Sequence, residues 1–178
     1  MKIIVLFLLA LFVVEAVSAT QRMSAIRPGN ACAGIMEIEK NLGSHELADT
    51  GPAGVSKYAG KEDGKDATII YKCEKGILTE QKVVVTASSR DQAYDFANAQ
   101  KSQLTSRLGE PLHDGLELGI WSRLFLGFKG ADLDYLTAVV VWGRATQDVM
   151  ILVRQTGENL WEISISQGTS KIEYILNS

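Results

Sequence analysis

Few side chains in this 178-residue chain are arranged for acid–base, nucleophilic or metal chemistry. The two histidines, His45 and His113, both fall in predicted loops, and neither lies at a spacing that binds zinc. The sequence contains no serine-hydrolase elbow, zinc-protease motif, phosphate-binding loop or dinucleotide-binding glycine pattern. It therefore predicts no catalytic residue, no metal site and no cofactor, and it favours a protein that is not an enzyme.

One pair of carboxylates keeps an enzymatic alternative open. Asp132 and Asp134 lie on a predicted hairpin connection, where they could act as an acid pair or bind calcium weakly. Turn chemistry explains them equally well, because aspartate side chains accept hydrogen bonds from nearby backbone amides. The alternative function is therefore a hydrolase built on these two carboxylates.

The best candidate for a binding site is a predicted strand face that carries Trp121, Arg123 and Phe125. Alternate residues of a strand point to the same side, so the arginine lies between two aromatic rings. Such a guanidinium can stack on a ring or pair with a partner's carboxylate, and aromatic residues and arginine are enriched at protein interfaces. The competing interpretation is core packing, with the arginine stem covering apolar surface.

The N-terminus predicts an export signal. Lys2 supplies a positive start, residues 3–14 are continuously apolar, and Val17 and Ala19 are small enough for a signal peptidase. Twelve apolar residues span about 18 Å as a helix, well short of a bilayer core of roughly 30 Å. We therefore expect a signal peptide over residues 1–19, one mature domain over residues 20–178, periplasmic or secreted localisation, and no stable membrane insertion after cleavage.

Export determines how the two cysteines, Cys32 and Cys73, are interpreted. Two sulfurs without nearby histidines are too few for a metal site, and these two are too far apart for a C-x-x-C redox pair. In an oxidising compartment a lone pair of cysteines in a small domain favours a disulfide. Closing a loop of about 42 residues would contribute roughly 4 kcal/mol in the chain-entropy model.

Helical spacing predicts two helices. Asn30 can cap a short helix that has Cys32 in its first turn and ends at Gly43. Ser89, with a glutamine three residues later, predicts a longer helix over residues 90–108, whose outer face, including Lys101, should be solvated.

Two segments show no helical or strand period. Residues 20–29 are predicted to form a loose lead-in, without regular secondary structure, before the first helix. Residues 43–66 contain five glycines and a charged run without a sustained period, which predicts a long Gly-rich loop.

The remaining pattern is typical of strands. Residues 69–73 and 82–86 predict a hairpin around a turn at Lys75 and Gly76. A run of short apolar segments then predicts an antiparallel meander of four or five strands over residues 118–128, 135–142, 149–154, 160–166 and 172–176. The predicted fold class is α+β, with an antiparallel sheet, formed by the hairpin and the meander, packed against two helices and held by one disulfide.

The first three strands of this meander are apolar on both sides, as in residues 138–142 and 149–153. Helices can cover one side of the sheet. The second side must be covered by the loop over residues 43–66, by sheet curvature, by a dimer partner or by a bound ligand. This uncovered side supports the interaction hypothesis, and it also leaves open a carrier of a small apolar ligand.

Charge narrows the class of partner. The formal net charge is −3, and lysine and arginine are scattered, which excludes a basic stripe for nucleic acid.

Residues 71–76, Tyr-Lys-Cys-Glu-Lys-Gly, resemble the Tyr-x-Cys-x-x-Gly start of small periplasmic lysozyme inhibitors, which implies an inhibitor. The helix predicted over residues 90–108 departs from that all-strand barrel, and its other landmarks are absent. We expect an exported, non-enzymatic binding protein of the inhibitor, immunity or envelope-accessory type, whose partner is another protein or a second copy of the chain.

Overall fold

The computed structural model describes residues 19–48, 52–118, 138–144 and 147–168. Within these ranges there are three helices, α1 (Ala19–Ala25), α2 (Ile35–Asn41) and α3 (Arg90–Leu108). The strands in the same ranges are β1 (His45–Glu46), β2 (Val55–Glu62), β3 (Lys65–Glu74), β4 (Ile77–Ala87), β5 (His113–Asp114), β6 (Val139–Arg144), β7 (Gln147–Gly157) and β8 (Leu160–Gly168).

The described strands form one antiparallel sheet in the order β1-β2-β3-β4-β8-β7-β6-β5. The α+β class, the antiparallel sheet and the β6-β7-β8 meander are therefore confirmed. The sheet is larger than predicted, and β4 joins the first hairpin to the meander by pairing with β8, for example Val83 opposite Ile165. Most of the strand predicted over residues 118–128, and all of the one over residues 172–176, lie outside the described residues.

The prediction of a loop over residues 43–66 was wrong. This segment contains β1, β2 and the start of β3, which extend one edge of the sheet. Asp63 and Gly64 both have positive φ, 45° and 80°, and this backbone makes the tight two-residue turn between β2 and β3. An Asp-Gly pair is a strong hairpin signal, but here it lies within a charged run, and the few apolar residues of β2 leave little alternation to detect.

The turn at Lys75 and Gly76 between β3 and β4 is confirmed, and both residues again have positive φ, 53° and 80°. The strands on either side are longer than predicted because they continue beyond the apolar residues. On one side, Ala67, Ile69 and Tyr71 of β3 are buried at alternate positions. Their pairing with β4, such as Ile69 opposite Val83, fixes the register of the first half of the sheet.

The N-terminal predictions required two corrections. Residues 20–29 are not a loose lead-in, because most of α1 lies there and places Met23 in the core. The next helix begins at Ile35, not after Asn30, because residues 30–32 hydrogen-bond to β4 and its turn. The Cys32 N–H donates to the Gly76 carbonyl at 2.9 Å, and the Asn30 carbonyl accepts from the Leu78 N–H, also at 2.9 Å.

The long helix is confirmed at its predicted bounds as α3. Ser89 has extended backbone, and its hydroxyl accepts a hydrogen bond from the Gln92 N–H at 3.3 Å, which caps the first turn. Six side chains of α3 are buried, and all but one were expected from the helical period. The exception is Lys101, which was predicted to be solvated and is only 9% exposed.

Candidate functional site

The two sides of the sheet differ in what covers them. On one side, which we call the helix face, Tyr94 of α3 packs edge-on against Trp161, and the Trp142 indole donates to the Gly109 carbonyl at 3.0 Å. Cross-strand neighbours on this side, such as Ile69, Val83, Ile165, Ile151 and Val140, are fully buried. The described helices therefore supply the core on the helix face.

The opposite side carries none of the three described helices, and for this reason we call it the helix-free face; the exposure of its residues is graded. One row of paired residues crosses it through Ala59, Thr68, Val84, Ser164, Leu152 and Val139. Ser164 and Val139 are buried, whereas Ala59, Thr68, Val84 and Leu152 are only partly buried. Within residues 43–66, the strands β1 and β2 extend the sheet beyond β3, at the end opposite to β7 and β6, so these strands do not cover the meander as predicted.

A groove of about 490 Å³ lies over the β1 to β4 end of this face. Small residues make it concave, because glycine, alanine and threonine leave space between the strands. Its rim carries two charged side chains and an imidazole. In the described part of the chain, its lining residues are Gly43, His45, Ala59, Gly60, Lys61, Asp66, Ala67, Thr68, Val84 and Thr86. Its volume lies within the roughly 300–1,000 Å³ of ligand pockets.

The charged rim of the groove is open to re-pairing. Lys61 Nζ lies 3.2 Å from Asp66 Oδ1, and these side chains are 68% and 95% exposed. An exposed pair of this kind contributes about 0–1 kcal/mol, so either group can exchange its partner for a ligand at little cost. His45, which was predicted to lie in a loop, pairs with Ala59 in the short strand β1. The groove thus combines a floor of small side chains with adaptable polar groups.

A second polar cluster, which we call the ionic cluster, lies on the helix face and is inaccessible. It consists of Arg22, Glu39, Glu62 and Tyr71, and all four side chains are fully buried. Arg22 Nε donates to both oxygens of Glu39, at 3.2 and 3.3 Å, and Arg22 Nη1 donates to Glu62 Oε2 at 3.0 Å. The Tyr71 hydroxyl donates to Glu39 Oε1. One guanidinium thus holds two carboxyl groups from different elements.

Arg22 also completes the edge of the sheet. Its Nη1 donates to the Lys61 carbonyl at 2.9 Å and its Nη2 to Ser44 Oγ at 3.1 Å. The Lys57 carbonyl accepts from the Leu47 N–H at 2.8 Å, so carbonyls at alternate residues of β2 face outward from the sheet. Because an unpaired edge carbonyl is costly when buried, Arg22 satisfies a group that the short strand β1 does not reach.

Amide side chains continue this network across the sheet. Gln81 Nε2 donates to the Tyr71 hydroxyl at 3.2 Å, and Gln167 Nε2 donates both to Gln81 Oε1 and to the Ile26 carbonyl, the latter at 2.6 Å. Gln81 and Gln167 are opposite each other on β4 and β8. A polar row inside the core therefore runs from the ionic cluster to the turn after α1, and its donors and acceptors serve each other rather than a ligand.

Burial determines the protonation chemistry of the ionic cluster. The pKa of Glu62 is raised to about 8, chiefly by desolvation and with smaller contributions from Asp63 and Glu39, while Arg22 opposes the increase. Desolvation and then Glu39 also raise the pKa of the Tyr71 hydroxyl, which remains protonated at neutral pH. With no exposed atom, these groups cannot exchange protons with a substrate in this conformation.

A third polar group joins α3 to the strand β5. Lys101 Nζ donates to Asp114 Oδ2 at 2.9 Å and also to Glu117 Oε1. Desolvation lowers the pKa of Lys101, but hydrogen bonds to Glu117 and Asp114 outweigh it, so the pKa is raised overall. Lys101 therefore stays charged and acts as a structural link.

Within the described ranges, no group of three or more His, Cys, Asp or Glu side chains could hold a metal ion.

The cysteine prediction is confirmed, because Cys32 and Cys73 form a disulfide with their Cα atoms 6.4 Å apart. Such a bond is typical of extracellular and periplasmic proteins. None of the helices in the described part of the chain is long and apolar enough to cross a membrane.

Several predicted features lie outside the described residues. They are the contact residues Trp121, Arg123 and Phe125, the carboxylates Asp132 and Asp134, and residues 1–18 of the signal peptide.

The sequence reasoning missed the ionic cluster. Two of its members carried a usable signal, because Glu62 alternates with Tyr58 and Gly60 on β2, and Glu39 is one helical turn beyond Ile35. Arg22 carried none, since its helix was not predicted.

Comparison of the chain and its structure with known protein families, curated proteins and solved structures finds no match.

Proposed function

We propose that the protein is an exported, non-enzymatic binding protein that engages another protein through the helix-free face of its sheet. The observation that carries the proposal is the groove of about 490 Å³ on that face, with a floor of small side chains and an adaptable rim. A projecting apolar side chain of a partner fits such a floor, and the exposed Lys61 and Asp66 offer charges of both signs to its flanks.

The contrast with the ionic cluster supports this choice of face. The ionic cluster contains the side chains best suited to acid–base chemistry, namely Arg22, Glu39, Glu62 and Tyr71. These side chains are fully buried, and they are hydrogen-bonded to one another or to the sheet edge. The groove offers partly buried surface that is open to a ligand. Trp121, Arg123 and Phe125 remain predicted contact residues. A periplasmic or secreted location after cleavage at Ala19 is part of the same proposal.

The test places a photo-crosslinking amino acid at Thr86, an exposed groove residue, in the cells that produce the protein. Asn98, exposed on α3, receives the same amino acid as a matched control. We expect a discrete protein adduct from Thr86 and at least a fivefold lower yield from Asn98. An adduct of twice the chain mass identifies a second copy as the partner. No protein adduct from Thr86, or equal yields from both positions, would refute the proposal.

A second arm addresses the predicted aromatic contacts. Trp121→Ala and Phe125→Ala, each combined with the crosslinker at Thr86, should lower the adduct yield severalfold if these rings extend the contact surface. Removing large aromatic anchors commonly costs more than about 2 kcal/mol in binding. An unchanged yield in both variants would remove these residues from the site while leaving the groove under test.

A further inference from the structure

A second cavity, of about 150 Å³, lies on the helix face of the sheet, on the side opposite to the groove. Its walls come from α1 and the turn after it, from the last two turns of α3, and from β7 and β8. Arg27 and Arg107 line it together with amide and apolar side chains, and none of its lining residues in the described part of the chain is acidic. We call this cavity the arginine cleft.

The interior of the arginine cleft is apolar and small. Met23 of α1, Leu104 of α3 and Val149 of β7 line it and are buried. An apolar cavity of roughly 150 Å³ holds a molecule of about the size of benzene. The cleft is smaller than the roughly 300–1,000 Å³ of pockets that take drug-sized ligands, so its occupant must be compact.

The two arginines lie toward the solvent side of the cleft, because Arg27 is exposed and Arg107 is half-buried above the buried apolar residues. Arg107 is in the last turn of α3, where the helix dipole favours a cation, and it already has an interaction partner in the protein. Among the described residues, no hydrogen bond or ion pair involves the Arg27 guanidinium. Arg27 therefore has a charge available for a ligand.

Hydrogen bonds from the sheet fix the backbone on both sides of Arg27. Gln167 Nε2 of β8 donates to the Ile26 carbonyl at 2.6 Å, and Gln147 Nε2 of β7 donates to the Pro28 carbonyl at 3.1 Å. Both glutamines also line the cleft. The wall that carries Arg27 is thus already in place, and a ligand loses less of its binding free energy to ordering the protein.

We propose that the arginine cleft binds a small organic acid, whose carboxylate pairs with Arg27 and Arg107 and whose apolar body, of about six carbons, packs inside the cleft. A guanidinium has five N–H donors, so Arg107 can hold a carboxylate and keep its present partner. An inorganic anion would leave the apolar wall unused, and a neutral hydrocarbon would leave the two positive charges unused. The site is separate from the groove, and it does not rest on the function proposed for the groove.

The experiment is a nitrogen-15 NMR titration of the exported chain with benzoate. We expect saturable shifts of the backbone amides of Leu104 and Val149 and of the side-chain amide of Gln147, with a Kd at or below about 1 mM. Acetate, which lacks the apolar body, and benzyl alcohol, which lacks the charge, should each bind at least about tenfold more weakly. Benzoate shifts confined to the groove residues Thr68 and Thr86 would overturn the proposal, as would no saturable shift up to about 20 mM.

Arg27→Gln tests the charge directly, and it should weaken benzoate binding at least about fivefold while it changes benzyl alcohol binding by less than about twofold. Arg90→Gln is the matched control, since Arg90 is an exposed arginine at the start of α3 that lies over the Tyr94 ring, 5.1 Å from its centroid, outside the cleft. This control should keep the wild-type affinity for benzoate. Equal benzoate affinity in the wild type and Arg27→Gln, or an equal loss in both variants, would overturn the proposal.

Discussion

The helix face and the helix-free face of the same strands treat polar groups in opposite ways. On the helix face, Arg22 and its carboxyl partners are fully buried and bonded within the fold. On the helix-free face, Lys61 and Asp66 form a pair that is mostly exposed beside the groove. The side chains best suited to acid–base chemistry are therefore buried on one face, and the accessible charged side chains lie on the other. The buried groups stabilise the sheet edge, and the accessible ones are free to meet a partner.

The two faces meet at Gly60. Its backbone lines the groove, and a side chain added on the opposite side would meet Ser44 and Arg22. Because Gly60 has no side chain, only its backbone separates the groove from the residues on the helix face. A substitution at this position therefore affects both faces. The comparison predicts large stability costs for substitutions on the helix face and small ones for substitutions in the groove.

The largest expected effect is that of Arg22→Met. Removing the guanidinium takes its hydrogen bonds away from two buried carboxyl groups and from the Lys61 carbonyl, so the free energy of unfolding should fall by about 3–5 kcal/mol at pH 7. Urea unfolding measures this. Arg154→Met is the matched control, because Arg154 forms a more exposed pair with Glu162 and should cost at most about 1 kcal/mol. Equal costs would remove the proposed difference between the two faces.

The next effect is that of the disulfide. Cys32→Ala combined with Cys73→Ala frees the chain before α2 from β3, and unfolding should become easier by about 2–4 kcal/mol. A reducing agent should lower the urea midpoint of the wild type and leave that of the double variant unchanged. Wild-type stability that is insensitive to reduction would contradict a stabilising role for the bond.

A smaller cost is expected for Gly60→Ala, at about 1–3 kcal/mol. A Cβ there would overlap Ser44 Oγ and lie 3.0 Å from Ile69 Cδ1 and 3.2 Å from Arg22 Nη2. Gly157→Ala is the control, since among the described residues its Cβ would meet Leu160 Cβ alone, at an ordinary 3.5 Å. Thermal unfolding of the two variants checks the difference, and equal melting temperatures would show that the strand is not tightly packed at Gly60.

The parts of the fold that sequence predicted are those encoded locally. Helix α3 has its cap at Ser89, its apolar period and its terminating Gly109 within one segment, and its bounds are confirmed. The turn at Lys75 and Gly76 is similarly local. The disulfide was predictable from compartment and cysteine count, without knowledge of the fold.

The parts that sequence missed depend on distant contacts. Helix α1 is short and polar, and it is fixed by Arg22 reaching Glu39 and Glu62 at separations of 17 and 40 residues. Lys101 was assigned to the solvent because its partners Asp114 and Glu117 belong to a different segment. The groove depends on the pairing of β2 with β3, which a charged Asp-Gly turn concealed.

The central claim, that binding occurs in the groove of the helix-free face, is tested most directly by filling it. Thr68→Trp replaces a small floor residue with a bulky one that strands favour, so the free energy of unfolding should change by no more than about 1 kcal/mol. The measurement is the yield of the protein adduct from the crosslinker at Thr86 in this variant. A drop of at least tenfold in a folded protein is the predicted result. An adduct yield equal to that of the unsubstituted groove would contradict the account.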